Sequence, residues 1–466
     1  MSVRLRPYAG WDDLIAMHQV VAEYSSLGLQ ERLRSEPSCG MLTARLPIMA
    51  RQVHDHDSGE GLISVDDARE RVLSKIAVLP PLQLPLTDAH GCVAAEDLIA
   101  TVDLPEFASS GMDGFAVRSG DVGAASASFP VDLKVVGNAM IGRRPQATVG
   151  IGEAVKIATG APIPAGADTI VPIENVEDGG DLVRVFEAAS EGRHIRPRAE
   201  DVREGDVLVP GGKRLGAPEI GLLANAGVPH PLVHPRPRVI VISTGDELIA
   251  PTEEPSFGQV RDANAYTLFG ALKEAGAMPV LAGIVHDDPE SLKETVLNYE
   301  IQADAFVSSG GVSVGERDVV KAAFFQRGNV DFYRVAMQPG MPQGFGEVEG
   351  KPFFGLPGNP VSVFVSFEMF VRPAVLKMMG RRALGRPEVT ATLTDEIRGP
   401  KGKTQFARVI VNRGADGWAA APAGGRGSNL IATIARANGL AVIPAGTEIA
   451  AAGSAVKVML FRASED

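Results

Sequence analysis

The sequence predicts a multidomain chain of α/β and β units: a central open, mainly parallel α/β sheet, β-rich regions before it and a small C-terminal β domain after it. Three observations predict this. From Pro235 the chain repeats strand, loop and helix, the pattern that builds a parallel sheet. From about 105 to 235, short β-branched runs ("AVKIAT", "TIVPI", "LVRVF") alternate with Gly, Pro and Asp turns. Beyond a Gly/Arg/Pro joint near 384–388, short strands return as "VTATLTDEI", "QFARVIVN" and "AVKVMLFR". With 466 residues the chain exceeds one ordinary core. It divides into an N-terminal extension (1–61), a linker helix with β-rich regions (62–234), the α/β domain (235–384) and the β domain (385–466).

In chain order, the extension is weakly periodic and ends in the polar "RQVHDHDSGEG". His54, Asp55, His56 and Asp57 read as a solvated linker, because nothing nearby completes a metal shell. Met49 offers an alternative start; an N-terminal peptide beginning at Met1 or Ser2 would exclude it. "SVDDARERVLSKIAVLPP" is a helix with a Ser64/Asp67 capping box, an apolar face of Val65, Ala68, Val72 and Ile76, and a Pro80-Pro81 stop. "RVIVISTG" is a buried strand, "ANAYTLFGALKEAG" a helix closed by Gly276, and "MPVLAGIV" the next strand. Asp288 caps the following helix with Pro289 at its first position. "DAFVSSGG" leads into the helix "RDVVKAAFFQRG". Asn359 and Pro360 start a long apolar helix through Met379, which Glu368, Arg372 and Lys377 mark as a buried helix and not a membrane span.

Composition narrows the function. Hydrophobic residues make up 45%, charged residues 22%, and the formal charge is -12. There is no Lys/Arg run, so nucleic acid and anionic membrane are poor partners. The two cysteines, Cys39 and Cys92, stand in unrelated contexts and give no disulfide framework or thiolate metal site. The N-terminus lacks the apolar stretch of a signal peptide, so a cytoplasmic location is expected.

In an open α/β sheet, ligands sit beyond the carboxyl ends of the strands. Those ends read "STGDEL", "VHDDP", "SSGGVSVGERD" and "GLPGNPVS". Three are rich in Gly, Ser or Thr and feed a helix N-terminus, where N–H groups cradle anions. Ser243, Thr244 and Gly245, then Ser309, Gly310, Gly311, Ser313 and Gly315, and finally Pro357, Gly358 and Asn359 are therefore candidate ligand contacts. The glycines at 310, 311 and 315 allow backbone to approach a phosphate-like oxyanion. Glu247, Asp287 and Asp318 follow the first three strands. Acids beside a phosphate pocket repel its ligand unless a hard cation bridges them, which points to Mg2+ held by Asp318 and Glu247. The bland alternative is that these acids cap helices, and one of Asp287 and Asp288 must do so. A P-loop is absent, as is a strand-linked dinucleotide fingerprint. No histidine is placed to activate a serine of "SSGG"; His286, at a strand end, reads as structural.

Taken together the chain resembles the molybdopterin molybdenumtransferase family of the MoeA and gephyrin E-domain type. The motifs are "GMDGFAV" (111–117), "TGAPIPAGADTIVPIENV" (159–176), "IRPRAEDVREGDVL" (195–208), the strand-end loops above and "GRGSNLI" (425–431). Each is weak alone; their order and spacing are specific. The resemblance implies a central domain of molybdopterin-binding type and Mg2+-dependent insertion of molybdenum from molybdate into adenylylated molybdopterin, with release of AMP. The substrate's own dithiolene supplies sulfur to the metal, so a cysteine-poor chain suffices. The resemblance carries function onto Asp113, Thr159 and Asp201, onto Glu247, Asp287 and Asp318 with Ser309 and Ser313, and onto Arg408 and Ser428. It also implies a homodimer whose sites combine the α/β and C-terminal domains of one subunit with the N-terminal region of the other.

The chain departs from the family pattern at "QPGMP", where Gln338 and Met341 replace two usual lysines. Arg334, a few residues earlier, is a candidate to compensate. "SSGMDG" and "RAED" differ by small-residue swaps. Two alternatives share the central domain, a competence-damage-type nucleotide hydrolase and the molybdopterin adenylyltransferase; an alternative of a different class is a non-catalytic gephyrin-like scaffold. The first two lack the N-terminal motifs and the last β domain, and no fused scaffold partner is visible here.

Overall fold

A computed structural model describes residues 61–311, 319–324, 330–415 and 417–462. The helix Val65–Ser74 starts as its sequence requires, with the Ser64 hydroxyl accepting from the Asp67 N–H at 3.0 Å. Ala68 and Val72 bury its apolar face. The β-rich region contains a six-stranded sheet that runs Thr169–Pro172, Gly114–Val117, Glu153–Ile157, Val131–Ala139, Leu182–Val185, Val176–Asp178. Phe115, Val117, Leu133, Val171 and Val183 form a core on it.

The central sheet is built from β1 (Arg238–Thr244), β2 (Met278–Val285), β3 (Ala305–Ser309), β4 (Val330–Arg334), β5 (Pro342–Val348) and β6 (Lys351–Leu356). Its spatial order is β2-β1-β3-β6-β5-β4. The first four are mutually parallel; β5 runs antiparallel to both its neighbours, β6 and β4, so β4 at the edge points the same way as the first four. The expected mainly parallel sheet is thus met in part: its β2, β1, β3 and β6 pair in parallel, and β5 enters reversed because short connections on either side of it join antiparallel neighbours. Helices α1 (Asn264–Ala275), α2 (Pro289–Tyr299) and α3 (Val319–Phe324) connect the parallel strands. Alternate β1 side chains serve both faces. Val239 and Val241 join one core, Ile240 and Ile242 the other.

The long apolar helix is interrupted. After α4 (Pro360–Ser366), residues Phe367–Val371 form a π-helical turn before α5 (Arg372–Met378). Asn359 stands at the N-cap position without a side-chain capping bond, and Pro360 occupies the first position. The π turn carries Glu368, which is buried at 1% side-chain exposure. Arg386 meets it through two bonds of 2.9 and 2.8 Å, and Arg372 lies 4.0 Å away. Glu368→Ala would leave two guanidinium groups without their carboxylate. It is expected to cost about 3–5 kcal/mol, read as a lowered urea midpoint; a cost below about 1 kcal/mol would show that the cluster is not coupled to folding.

In the C-terminal domain, Thr404–Gly414, Gly417–Pro422, Glu388–Leu393, Ala455–Leu460 and Gly439–Ile443 pair in that order, and the last pairs back onto the first. This five-strand ring is a closed barrel. Met337–Gln338 add to it in parallel beside Thr404–Gln405, so a segment from the central domain edges the barrel. Phe406, Leu440 and Phe461 of the barrel share a core with Phe364 and Val361 of α4. The rings of Phe364 and Phe461 meet edge-on at 5.0 Å. This dry seam fixes the barrel's loops over the ligand edge of the central sheet. Among the described residues no helix is long and apolar enough to cross a membrane.

Candidate functional site

Two groups of the expected residues assemble. The first lies at the carboxyl edge of the central sheet. Ser243 and Ser309 end β1 and β3 side by side, their hydroxyls 3.3 Å apart and buried. Thr244 is buried beside them, its hydroxyl 3.5 Å from the Ser309 carbonyl. These contacts tie the ends of β1 and β3 together at the base of the loop. Gly310 then turns with φ 94°, its N–H donating to the Leu356 carbonyl at 3.0 Å. A Cβ there would fall 2.6 Å from the Thr244 carbonyl oxygen and 2.8 Å from its hydroxyl. No side chain fits.

At Gly358 a Cβ would meet only the Gly310 Cα, at 3.7 Å. Gly310→Ala is therefore expected to destabilise the loop by about 1–3 kcal/mol from backbone strain alone, whereas Gly358→Ala should cost far less. Thermal midpoints of the two variants check this, and equal loss in both would refute the packing argument.

The acids gather at the same edge. Asp288 is the helix cap, accepting from the Ser291 N–H at 2.8 Å. That frees Asp287, whose N–H donates to the Asp246 carboxylate at 3.2 Å. His286 Nδ1 lies 3.0 Å from the same Asp246 oxygen. The hydrogen bond to His286, then that from the Asp287 N–H, holds the Asp246 carboxyl below the usual carboxylate range. Asp287 is pushed up, first by local burial and then by the charges of Asp246 and Glu247. Mutual repulsion of this kind is what a bridging cation would relieve, and all-oxygen donors suit Mg2+. Asp318, Ser313 and Gly315 lie outside the described residues. Among the described residues no three acids, histidines or cysteines are spaced to hold a metal.

The C-terminal barrel closes over this edge. The Val361 N–H, at the start of α4, donates to the Ser428 carbonyl at 3.0 Å, which seats the "GRGSNLI" loop beside Pro357, Gly358 and Asn359. Arg408 is buried at 5% exposure and turned inward. It donates to the Thr433 hydroxyl at 3.0 Å and to the carbonyls of Gly425 and Gly427 at 2.5 and 3.3 Å. Arg408 acts as a strut for the Ser428 loop, and burial pushes its guanidinium down. Arg334 and Gln338 are exposed on the strand and turn that lead to the barrel.

The second group belongs to the N-terminal region. The Asp113 carboxylate accepts from the Thr159 N–H at 2.8 Å. Ser109–Ser110 pair with Ile195–Arg196, and the Gly160 N–H donates to the Ser110 carbonyl at 2.7 Å. The Asp201 N–H reaches the Leu104 carbonyl at 3.0 Å. Asp113 and Thr159 thus meet directly, and Asp201 is anchored to the Leu104 segment that leads into the Ser109–Ser110 strand. Among the described residues, no hydrogen bond or ion pair joins this group to the central group.

Sequence reasoning missed Asn264. Its side-chain N–H donates to the Gly358 carbonyl at 2.7 Å, and only 9% of it is exposed, so it positions the "GLPGNP" loop. In sequence it reads only as the start of α1. Asp246 was also missed, although it stands inside "STGDEL" between the glycine and Glu247.

Three family regions match in order: the MoeA N-terminal region (domain I and II) over residues 63–227, a probable molybdopterin binding domain over 240–377, and the MoeA C-terminal region (domain IV) over 390–461. Molybdopterin molybdenumtransferase 2 of Mycobacterium tuberculosis is 39% identical over 401 residues, spanning 85% of this chain and 98% of the relative. The Staphylococcus epidermidis molybdopterin molybdenumtransferase is 31% identical over 399 residues, with 85% and 95% covered. A crystal structure of a Pyrococcus horikoshii molybdopterin biosynthesis MoeA protein superimposes with a TM-score of 0.73 at 33% identity, covering 86% of this chain and 100% of that one. With relatives this similar running through all three regions, the chain belongs to the MoeA family of molybdopterin molybdenumtransferases.

Proposed function

We propose that this chain is a molybdopterin molybdenumtransferase that inserts molybdenum from molybdate into adenylylated molybdopterin and releases AMP, in molybdenum cofactor biosynthesis. The observation that carries this reading is the Gly310 turn, packed on Thr244 too tightly for any side chain, at the same end of the sheet as the Asp246–Glu247–Asp287 acids. A loop of bare backbone beside carboxylates suits a polyanion brought in with a cation. A nucleotide hydrolase or adenylyltransferase with this central domain accounts for neither the N-terminal group nor the barrel loop.

In this reading the backbone N–H groups that follow Gly310, whose own N–H is held by the Leu356 carbonyl, take a phosphate of the substrate, and Glu247 with Asp318 would hold Mg2+. When bound, Mg2+ would neutralise charge on the phosphate oxygens during release of AMP. Asp287 adds a further carboxylate to the same edge. The Arg408 strut keeps the Ser428 loop at the mouth of the site, and Asn264 keeps the Gly358 carbonyl in place beneath it. Asp113, Thr159 and Asp201 complete the site from a second copy of the chain, which the separateness of the two groups supports. The test is to mix purified protein, Mg2+ and adenylylated molybdopterin, with and without molybdate, and follow AMP. AMP release that ignores molybdate would indicate a hydrolase, and no release would reject the transferase reading.

A further inference from the structure

The turn Gln338–Met341 lies where the central domain meets the barrel. Met337 and Gln338 pair in parallel with Thr404 and Gln405, and the Thr404 N–H donates to the Ala336 carbonyl at 2.9 Å. This register brings the residue before the barrel strand, Lys403, against the turn, its ammonium 3.4 Å from the Met341 Sδ. Lys403 is partly buried, and no carboxylate pairs with it among the described residues. A thioether is a weak, uncharged acceptor, and an ammonium has three donors to place. A partly desolvated cation without a counter-ion is costly unless an anion joins it. Two further donors stand on the same strand and turn: the exposed Arg334 guanidinium, which has no ion pair among the described residues, and the exposed Gln338 amide. The strand-end acids at 246, 247 and 287 make no hydrogen bond or ion pair with any of these three among the described residues.

We propose that Lys403 binds a tetrahedral oxyanion, bringing from the barrel the positive charge that the Gln338–Met341 turn itself lacks. In the transferase reading, on which this inference rests, the oxyanion is molybdate. A lysine on the neighbouring strand reaches the turn that a lysine at position 341 would have occupied, so the charge is relocated and not lost. Long-range attraction between one ammonium and a dianion is enough to set affinity at a partly screened site.

Equilibrium dialysis of the full chain against molybdate, with metal analysis of both chambers, tests this. Lys403→Met and Lys403→Gln are each expected to weaken binding by about five- to tenfold, with unchanged thermal midpoints. Lys403→Arg should keep the affinity within about twofold, and Met341→Lys in the Lys403→Met background should restore it. Unchanged affinity in the neutral variants overturns the proposal, as does a wild-type chain that binds no molybdate. A loss that neither Lys403→Arg nor Met341→Lys repairs overturns it too, because the effect would then be shape and not charge. Intact, Lys403-dependent molybdate binding without AMP release would instead reject the transferase reading and leave this site standing.

Discussion

Asp318→Asn is expected to abolish Mg2+-dependent AMP release while leaving the fold intact. Asp318 follows, in sequence, the glycines of the loop after β3. Asparagine keeps the size of the side chain but offers one neutral oxygen in place of a charged pair. A hard cation beside substrate phosphates needs ionised oxygen. Removing one such ligand should cost several kcal/mol of transition-state stabilisation, on the order of a hundredfold or more in rate. Glu247→Gln should act in the same direction. The readout is AMP release across a Mg2+ titration, alongside a thermal midpoint. Turnover near wild type in Asp318→Asn would sink the metal assignment.

Mixing two dead variants should restore activity. Asp113 lies in the N-terminal group, Asp318 follows in sequence the β3 loop of the central one, and among the described residues no hydrogen bond or ion pair joins the two groups. A two-fold dimer would set each group against its complement. Asp113→Ala and Asp318→Ala, each inactive alone, would then place both lesions in one site of a mixed dimer and leave the other whole. Random pairing makes about half the dimers mixed, with one intact site of two, so activity should return to roughly a quarter of wild type. The check is AMP release after mixing under conditions shown to exchange subunits. No recovery there would place the whole site within one chain.

The local parts of this protein were legible in its sequence. Ser64 and Asp288 cap their helices because a short polar side chain before an apolar period satisfies N–H groups within three residues. Gly310 stood out because no other residue type suits its turn, and the acids at 247 and 287 fell at strand ends because strand ends can be counted from apolar runs. The antiparallel pairings of β5 were not read from the sequence, since the direction in which a strand enters a sheet leaves no mark on its composition.

Only the tertiary structure decided what the remaining residues do. Arg408 donates to the carbonyls of Gly425 and Gly427, 17 and 19 positions further along the chain, a pairing no local pattern announces. Asn264 meets the Gly358 carbonyl 94 positions away, and Lys403 meets Met341 across 62. Such pairs depend on how a barrel seats on a helix through Phe364 and Phe461. Periodicity reports which face of an element is apolar. It carries no information about which distant chain will cover that face, so order and chemistry were determined along the sequence and juxtaposition by packing.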